Sequence, residues 1–163
     1  MVDSIEQARW LRDSVGVRAL DAGILRVVGP DRRDWLQGQV TNDVHAIRPG
    51  DATYTFIVDV RGKILADAFV LHREESFDLV LAGSRLEAMA SRFDKYIVME
   101  DVELERPETS IVTAQGPRAR ELGSFACDRL GLGGVDIVDR SIEQLAEQAR
   151  ALGGGRVDEG GWR

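Results

Sequence analysis

Asp67 has the strongest claim to chemistry in this sequence, because of what the chain around it is built to do. Tyr54, Phe56, Val58 and Val60 alternate with Thr53, Thr55, Ile57 and Asp59, so Ala52 to Val60 reads as a strand with two distinct faces. Ile64 to Leu71 reads as the returning strand, and Arg61-Gly62 sits where a two-residue hairpin loop would place a glycine at positive φ. That loop makes Val60 face Lys63, Val58 face Leu65, Phe56 face Asp67 and Tyr54 face Phe69. Opposed side chains share a face, and diagonal neighbours lie about 7–8 Å apart. Asp67 is then expected among Phe56, Leu65 and Phe69, with the Tyr54 hydroxyl within reach. Aspartate is depleted in strands and is almost never fully buried unless paired. Two readings follow: a strand face that opens to solvent, or a desolvated carboxylate in a partly apolar cleft, poised to accept a ligand N–H. A three-residue loop would flip the register and remove the argument.

Other polar groups offer less. Thr41-Asn42-Asp43 is composed like a plain turn, since all three residue types favour local backbone hydrogen bonds. His45 and His72 are isolated from one another and read as surface or rim residues. Cys127 is the only cysteine, which excludes an internal disulfide and a cysteine-rich metal site within this chain. No glycine-rich phosphate loop, zinc-protease or nucleophile-elbow pattern occurs. Arg32-Arg33 and Arg118/Arg120 lie at expected helix starts beside carboxylates and read as solvated helix faces. The net charge of −7 gives the whole chain no attraction for nucleic acid or anionic lipid, and the aromatics do not interleave with a basic stripe.

The elements that must position these residues belong to an ordinary domain. The chain has 163 residues, 44% hydrophobic and 30% charged, which suits a soluble globular protein. No apolar run approaches the roughly 18–20 residues of a spanning helix, and the acidic start lacks a signal-peptide pattern. Both point to the cytoplasm. Ser4-Ile5-Glu6-Gln7 has the form of a capping box opening a helix to about Ser14, and Gly23 to Val28 reads as a strand. Pro30-Asp31 starts a helix carrying Trp35 and Leu36, and Phe77 to Leu81 is a third strand of the hairpin sheet. Ser84-Arg85-Leu86-Glu87 caps a helix with Leu86, Met89, Ala90 and Phe93 on one side. Val102–Leu104, Ile111–Ala114 and Val135–Val138 read as strands, Gly116-Pro117 as a short helix start, and Ser141 as the cap of a last helix to about Leu152. This order predicts an α+β fold of antiparallel sheets with packed helices. The glycine-rich residues 153–163 read as a tail that ends without a closing element, as an interrupted chain would.

Gly23-Ile24-Leu25-Arg26-Val27-Val28-Gly29-Pro30-Asp31, then Trp35-Leu36-Gln37-Gly38-Gln39-Val40-Thr41-Asn42-Asp43-Val44, resembles the opening of the glycine-cleavage T-protein/YgfZ folate-binding family. Tyr54-Thr55, Arg61-Gly62-Lys63-Ile64-Leu65-Ala66-Asp67, Asp101-Val102-Glu103-Leu104 and Ala114-Gln115-Gly116-Pro117 follow in family order, so the resemblance runs from about Val15 to Leu122. It implies ferredoxin-like, αβ-plait units: a first over about 15–104 and the start of a second over about 109–152, together a folate-binding region over 1–152. It also implies tetrahydrofolate, or a folate derivative, as cofactor, with Asp67 as the residue important for one-carbon transfer and Tyr54 as a second ligand-facing group.

Two branches of the family imply different activities. Leu36-Gln37-Gly38-Gln39-Val40-Thr41 looks more like the YgfZ branch, whose members support maturation or repair of iron–sulfur enzymes. Aminomethyltransferases of the glycine-cleavage type carry paired glycines and paired aspartates where this chain has Arg61-Gly62 and Ala66-Asp67. The sequence therefore predicts a tetrahydrofolate-binding YgfZ-like protein partnered by iron–sulfur enzymes. The alternatives are an aminomethyltransferase served by a lipoyl carrier protein and a non-catalytic interaction module. The YgfZ branch's Lys-Gly-Cys-Tyr-x-Gly-Gln-Glu motif is not in this sequence, and Cys127 does not take its role.

Overall fold

A computed structural model of the chain describes residues 2–159. The chain forms two compact units, one of residues 1–20 with 110–163 and one of residues 21–109. In chain order, helix α1 (Ser4–Asp13) and strand β1 (Gly16–Ala19) open the first unit. The second unit then runs β2 (Ala22–Val28), α2 (Arg32–Gln37), β3 (Ala52–Val58), β4 (Ile64–His72), β5 (Phe77–Ala82), α3 (Leu86–Asp94) and β6 (Glu103–Glu105). The chain returns to the first unit with β7 (Ile111–Gln115), β8 (Phe125–Ala126), β9 (Gly134–Val138), α4 (Ile142–Ala151) and β10 (Gly155–Arg156).

The fold is α+β, as the sequence predicts. The second unit is a five-stranded antiparallel sheet in the order β3-β4-β5-β2-β6. Alternation along its strands sends one set of side chains inward, including Leu25, Val27, Ile57, Val70, Phe77 and Leu79, under Trp35 and Leu36 of α2 and Met89, Ala90 and Phe93 of α3. Trp35 and Phe93 meet edge to face at 5.5 Å, and the Trp35 indole N–H donates to the Tyr96 carbonyl at 3.0 Å. Its one polar atom is thus satisfied where the ring is buried.

The first unit is a second five-stranded sheet, β10-β1-β7-β9-β8, with Leu145, Ala146 and Ala149 of α4 packed on Val15, Val17, Val112 and Val135. Three of its strands are absent from the sequence expectation. β1 and β8 are short, and β10 lies within the predicted tail. Gly155 and Arg156 pair in parallel with Gly16 and Val17, and Val157 is buried. Glycine permits this pairing: a Cβ on Gly154 would collide with the Val15 carbonyl, and one on Gly155 would meet the Trp10 ring at 2.7 Å. The rest of the predicted tail, residues 160–163, lies outside the described residues. The structure also places α1 and β1 with residues 110–159 rather than opening the hairpin-bearing unit near residue 15, because Val15 and Val17 belong to the core beneath α4.

Caps differ in detail. Asp3, not Ser4, accepts from the Ile5 N–H at the start of α1, whereas Ser141 caps α4 through Gln144 N–H as expected. Ser84 makes no cap bond, because a turn of 3₁₀ helix over Gly83–Arg85 precedes α3. No helix among the described residues is long and apolar enough to cross a membrane.

Candidate functional site

The loop between β3 and β4 is one residue longer than predicted. Gly62 N–H donates to the Asp59 carbonyl at 3.0 Å and Asp59 N–H to the Lys63 carbonyl at 2.9 Å, with Gly62 at φ 81°. Val60, Arg61 and Gly62 therefore form a three-residue loop ending in a left-handed glycine. The Asp59 carboxylate accepts from Lys63 and Arg61 N–H inside the turn, and these bonds hold it below the usual carboxylate range.

A second irregularity cancels the first. Ile57 faces Ala66 but Val58 faces Ile64, so Leu65 is an extra residue in β4. This β-bulge restores the register beyond it, and Phe56 faces Asp67 and Tyr54 faces Phe69. Leu65 itself is re-aimed: it packs against the core of the second unit instead of flanking Asp67.

Tyr54 and Asp67 meet. The Tyr54 hydroxyl donates to Asp67 Oδ2 at 2.7 Å. The Tyr54 ring lies edge-on to Phe56 at 5.3 Å and tilted against Phe69 at 5.1 Å. These four side chains share the sheet face opposite the α2–α3 core. Asp67 is exposed, and Tyr54 is 42% exposed while Phe69 is 8% exposed. Within this chain the carboxylate is therefore not desolvated: it has an aromatic flank and an open side. Such an arrangement can accept a hydrogen bond from a polar N–H and stack a flat ring.

Thr41-Asn42-Asp43 is more than a local turn. β3 is the edge strand, and the backbone groups of Tyr54 and Phe56 point away from β4. Thr41 N–H donates to the Phe56 carbonyl at 3.0 Å, and Phe56 N–H donates to Thr41 Oγ1 at 3.1 Å. Asn42 Nδ2 donates to the Tyr54 carbonyl at 2.8 Å and to Thr53 Oγ1 at 2.9 Å. Gln37 ties the same loop to α2, its Oε1 accepting from Val44 N–H at 2.7 Å. Composition alone did not reveal Thr41 and Asn42 as partners of β3, because Thr53, Tyr54 and Phe56 lie more than ten positions away from them. The available signal was a bonding-competent Asn beside a strand whose outer edge needs donors.

His72 is buried, contrary to its reading as a rim residue. Its ring stacks on Phe77 at 4.4 Å. Nδ1 lies 2.8 Å from the Ile47 carbonyl and Nε2 3.1 Å from an Arg33 nitrogen. A neutral imidazole donating from Nδ1 and accepting at Nε2 satisfies both contacts. Burial pushes its pKa down, aided by Arg33. Arg33 is correspondingly not a solvated helix-face residue: it also donates to the Val44 and His45 carbonyls and lies 5.3 Å over the Phe77 ring. Arg118 does match its expectation, pairing with Glu121 at 2.7 Å on the surface.

On the same sheet face as Asp67, the fully buried Asp78 accepts from Arg26 Nε at 2.7 Å, from a second Arg26 nitrogen at 2.9 Å and from Arg73 Nε at 2.7 Å. Cys127 is buried, and burial together with nearby Asp136 pushes its thiol pKa far up, so it is an inert packing residue. Among the described residues no group of three or more His, Cys, Asp or Glu could hold a metal ion.

Comparison with known proteins places this architecture. An aminomethyltransferase of Alcanivorax borkumensis is 30% identical over 120 residues, 72% of this chain and 33% of the relative. A tRNA-modifying protein YgfZ of Photorhabdus laumondii is 32% identical over 107 residues, 64% of this chain and 32% of that protein. The glycine cleavage system aminomethyltransferase T from Bartonella henselae shares the fold, with a TM-score of 0.80 at 17% identity over 97% of this chain and 52% of that one. This chain thus spans about a third of the length of the curated relatives it matches. Residues 3–132 match the family described as the GCVT N-terminal domain. With more than half of its length matched, the chain belongs to the GCVT N-terminal domain family.

Proposed function

We propose that this chain supplies one wall of a tetrahydrofolate site, with Asp67 and Tyr54 as its polar contacts, in a cytoplasmic YgfZ-like protein that supports iron–sulfur enzymes. The observation that carries this reading is the 2.7 Å Tyr54–Asp67 hydrogen bond between Phe56 and Phe69. Tyr54 donates to Asp67 Oδ2, which leaves the exposed carboxylate its other oxygen as an acceptor. That oxygen suits an N–H of the folate, and the aromatic flank suits the flat faces of its rings. Membership of the GCVT N-terminal domain family supports the ligand class, and relatives named YgfZ support the branch. In this role Asp67 orients the ligand and Tyr54 holds the carboxylate in the orienting rotamer.

A second reading is aminomethyl transfer to tetrahydrofolate from a lipoyl carrier protein, favoured by the match to the Alcanivorax borkumensis aminomethyltransferase. Here Asp67 would also stabilise charge developing on the reacting nitrogen. Both readings use the same wall.

Titration of the chain with tetrahydrofolate, against Asp67→Asn and Tyr54→Phe, tests them together. A hydrogen bond to a charged group contributes about 1.5–3 kcal/mol, so Asp67→Asn is expected to weaken binding roughly 10- to 100-fold. Tyr54→Phe should cost less, roughly 2- to 10-fold. Equal, tight binding by wild type and Asp67→Asn would remove Asp67 from the site. Binding by neither would favour a non-catalytic interaction module.

A further inference from the structure

The Asn42 carboxamide bonds to the chain's own backbone and side chains through both N–H groups and through its oxygen. Its two N–H bonds go to the Tyr54 carbonyl and Thr53 Oγ1. Its oxygen accepts from Asp43 N–H at 2.8 Å, and its own backbone N–H donates to Thr55 Oγ1 at 3.1 Å. Both of its N–H donors are therefore taken by β3. Asn42 thus acts on one of the two residues that make the polar pair.

The edge position explains why this matters. In an antiparallel sheet each residue of an edge strand directs its N–H and C=O either to its neighbour strand or outward. Tyr54 and Phe56 direct theirs outward, and their side chains are the ones that bracket Asp67. Asn42 takes the Tyr54 carbonyl, while Thr41 takes both the carbonyl and the N–H of Phe56. The loop thereby does for these two residues what a further strand would do. Gln37 bridges its two sides, donating to the Asn42 carbonyl at 3.3 Å and accepting from Val44 N–H. Arg33 holds its far side through the Val44 and His45 carbonyls.

We infer that Asn42 is a positioning residue, setting the Tyr54 backbone so that its hydroxyl meets Asp67. As a positioning residue for the folate wall, it rests on the reading given under Proposed function. The residue type follows from the chemistry. Only an amide of this length donates two N–H bonds at once to a carbonyl and a hydroxyl on adjacent strand residues. Aspartate at the same position would set an acceptor against the Tyr54 carbonyl, while the Thr53 hydroxyl could turn and donate to it.

Tyrosine labelled with ¹³C at Cζ gives a direct test, because the chain has two tyrosines, Tyr54 and Tyr96, and Tyr96 serves as internal control. In the wild-type chain the Tyr54 signal should carry an inflection on acidification that reports its hydrogen bond to the Asp67 carboxylate, and Asp67→Asn should abolish it. Asn42→Asp, which matches asparagine in size, and Thr41→Val are each expected to reduce the inflection at least twofold with Tyr96 unmoved. Thr41→Ser, which keeps the hydroxyl, should restore it. A full inflection in both Asn42→Asp and Thr41→Val would overturn the positioning role, and so would a loss shared equally by the Tyr96 signal. Tetrahydrofolate titration of the same samples separates the two levels. Wild-type binding with at least threefold weakening in Asn42→Asp supports the inference, and wild-type binding unchanged in Asn42→Asp overturns it. No binding by wild type defeats the folate reading, while the tyrosine signal still decides whether Asn42 positions the pair.

Discussion

Asp78 carries the most demanding electrostatic arrangement on the sheet that bears the candidate site, and its removal has a calculable consequence. It sits on β5 opposite Arg26 of β2 and Leu71 of β4, with its side chain fully buried. Arg26 grips it with two nitrogens and Arg73 adds a third contact. Breaking a buried ion pair from one side costs about 3–5 kcal/mol, because the remaining charge is left poorly solvated. Here the arginine side chains keep 21% and 31% of their surface exposed, so each regains part of its hydration. The loss expected for Asp78→Asn is therefore about 2–3 kcal/mol. Urea unfolding slopes for small proteins are about 1–3 kcal/mol per molar, so the midpoint should fall by about 0.7–3 M. Circular dichroism across a urea series measures this directly. The triple variant Arg26→Met/Arg73→Met/Asp78→Leu should recover at least about 1 kcal/mol of the loss, since replacing all members of a buried ion group by apolar side chains is often neutral. A loss below about 0.5 kcal/mol for Asp78→Asn would refute the reasoning, placing the carboxylate among ordinary surface ion pairs.

Two further perturbations test local features. His72 is held neutral in the fold with its pKa lowered by burial and by Arg33, whereas in the unfolded chain it takes a proton near pH 6.5, roughly the free value. Between those two values the unfolded state binds more protons, so the stability contributed above about pH 6.5 is lost as the pH falls through the folded value. Urea midpoints at pH 8 and pH 5 should differ more in wild type than in His72→Gln, and equal differences would remove His72 as a source of acid sensitivity. Gly62 holds φ 81° with open space where a Cβ would project, so Gly62→Ala should cost only the left-handed backbone penalty, about 1–2 kcal/mol. Gly62→Asn should cost less, and an Ala variant as stable as wild type would mean that the loop does not need its left-handed residue.

The hairpin shows what the sequence makes legible and what it does not. Alternation from Tyr54 to Val58 and from Ile64 to Leu71 fixes which residues can share a face, because that pattern repeats every second residue. It says little about the number of loop residues, and nothing about an extra residue within β4. The longer loop and the bulge at Leu65 shift the register in opposite directions. The pairing of Phe56 with Asp67 therefore stands although the loop expected to produce it does not. Leu65, the extra residue itself, faces the core and not the Asp67 side that simple alternation expects.

Elements fixed by distant contacts were less legible. His72 is alone in the sequence, and its burial depends on the Ile47 carbonyl and on Arg33 of α2. β10 looked like a tail because Gly153-Gly154-Gly155 has low strand propensity. Those glycines instead permit a close parallel approach to β1, where side chains would collide with Val15 and Trp10. Local propensity could not show that, because the reason lies on the partner strand. Ser141 was the contrasting case: its cap bond is local, to Gln144, and composition alone located it.

These contrasts bear on why a site at Tyr54 and Asp67 is physically reasonable. Along the outer face of the sheet, exposure rises from Asp78 and Leu71, which are fully buried, through Phe69 to Tyr54 at the edge. The pair thus combines rigid footing with an open approach. β4 holds Asp67 through its pairing with Phe56 on β3 and through the ladder to β5 that begins two residues on at Phe69, and Phe56 and Phe69 restrain the Tyr54 ring. An edge strand would ordinarily leave the tyrosine backbone free to shift, which would misplace its hydroxyl. Here the Thr41–Asn42 loop supplies the missing bonds without covering the side-chain face. Preorganisation of a binding group requires support from behind and vacancy in front. On this sheet the edge strand meets both requirements only because a neighbouring loop, rather than another strand, completes its hydrogen bonding.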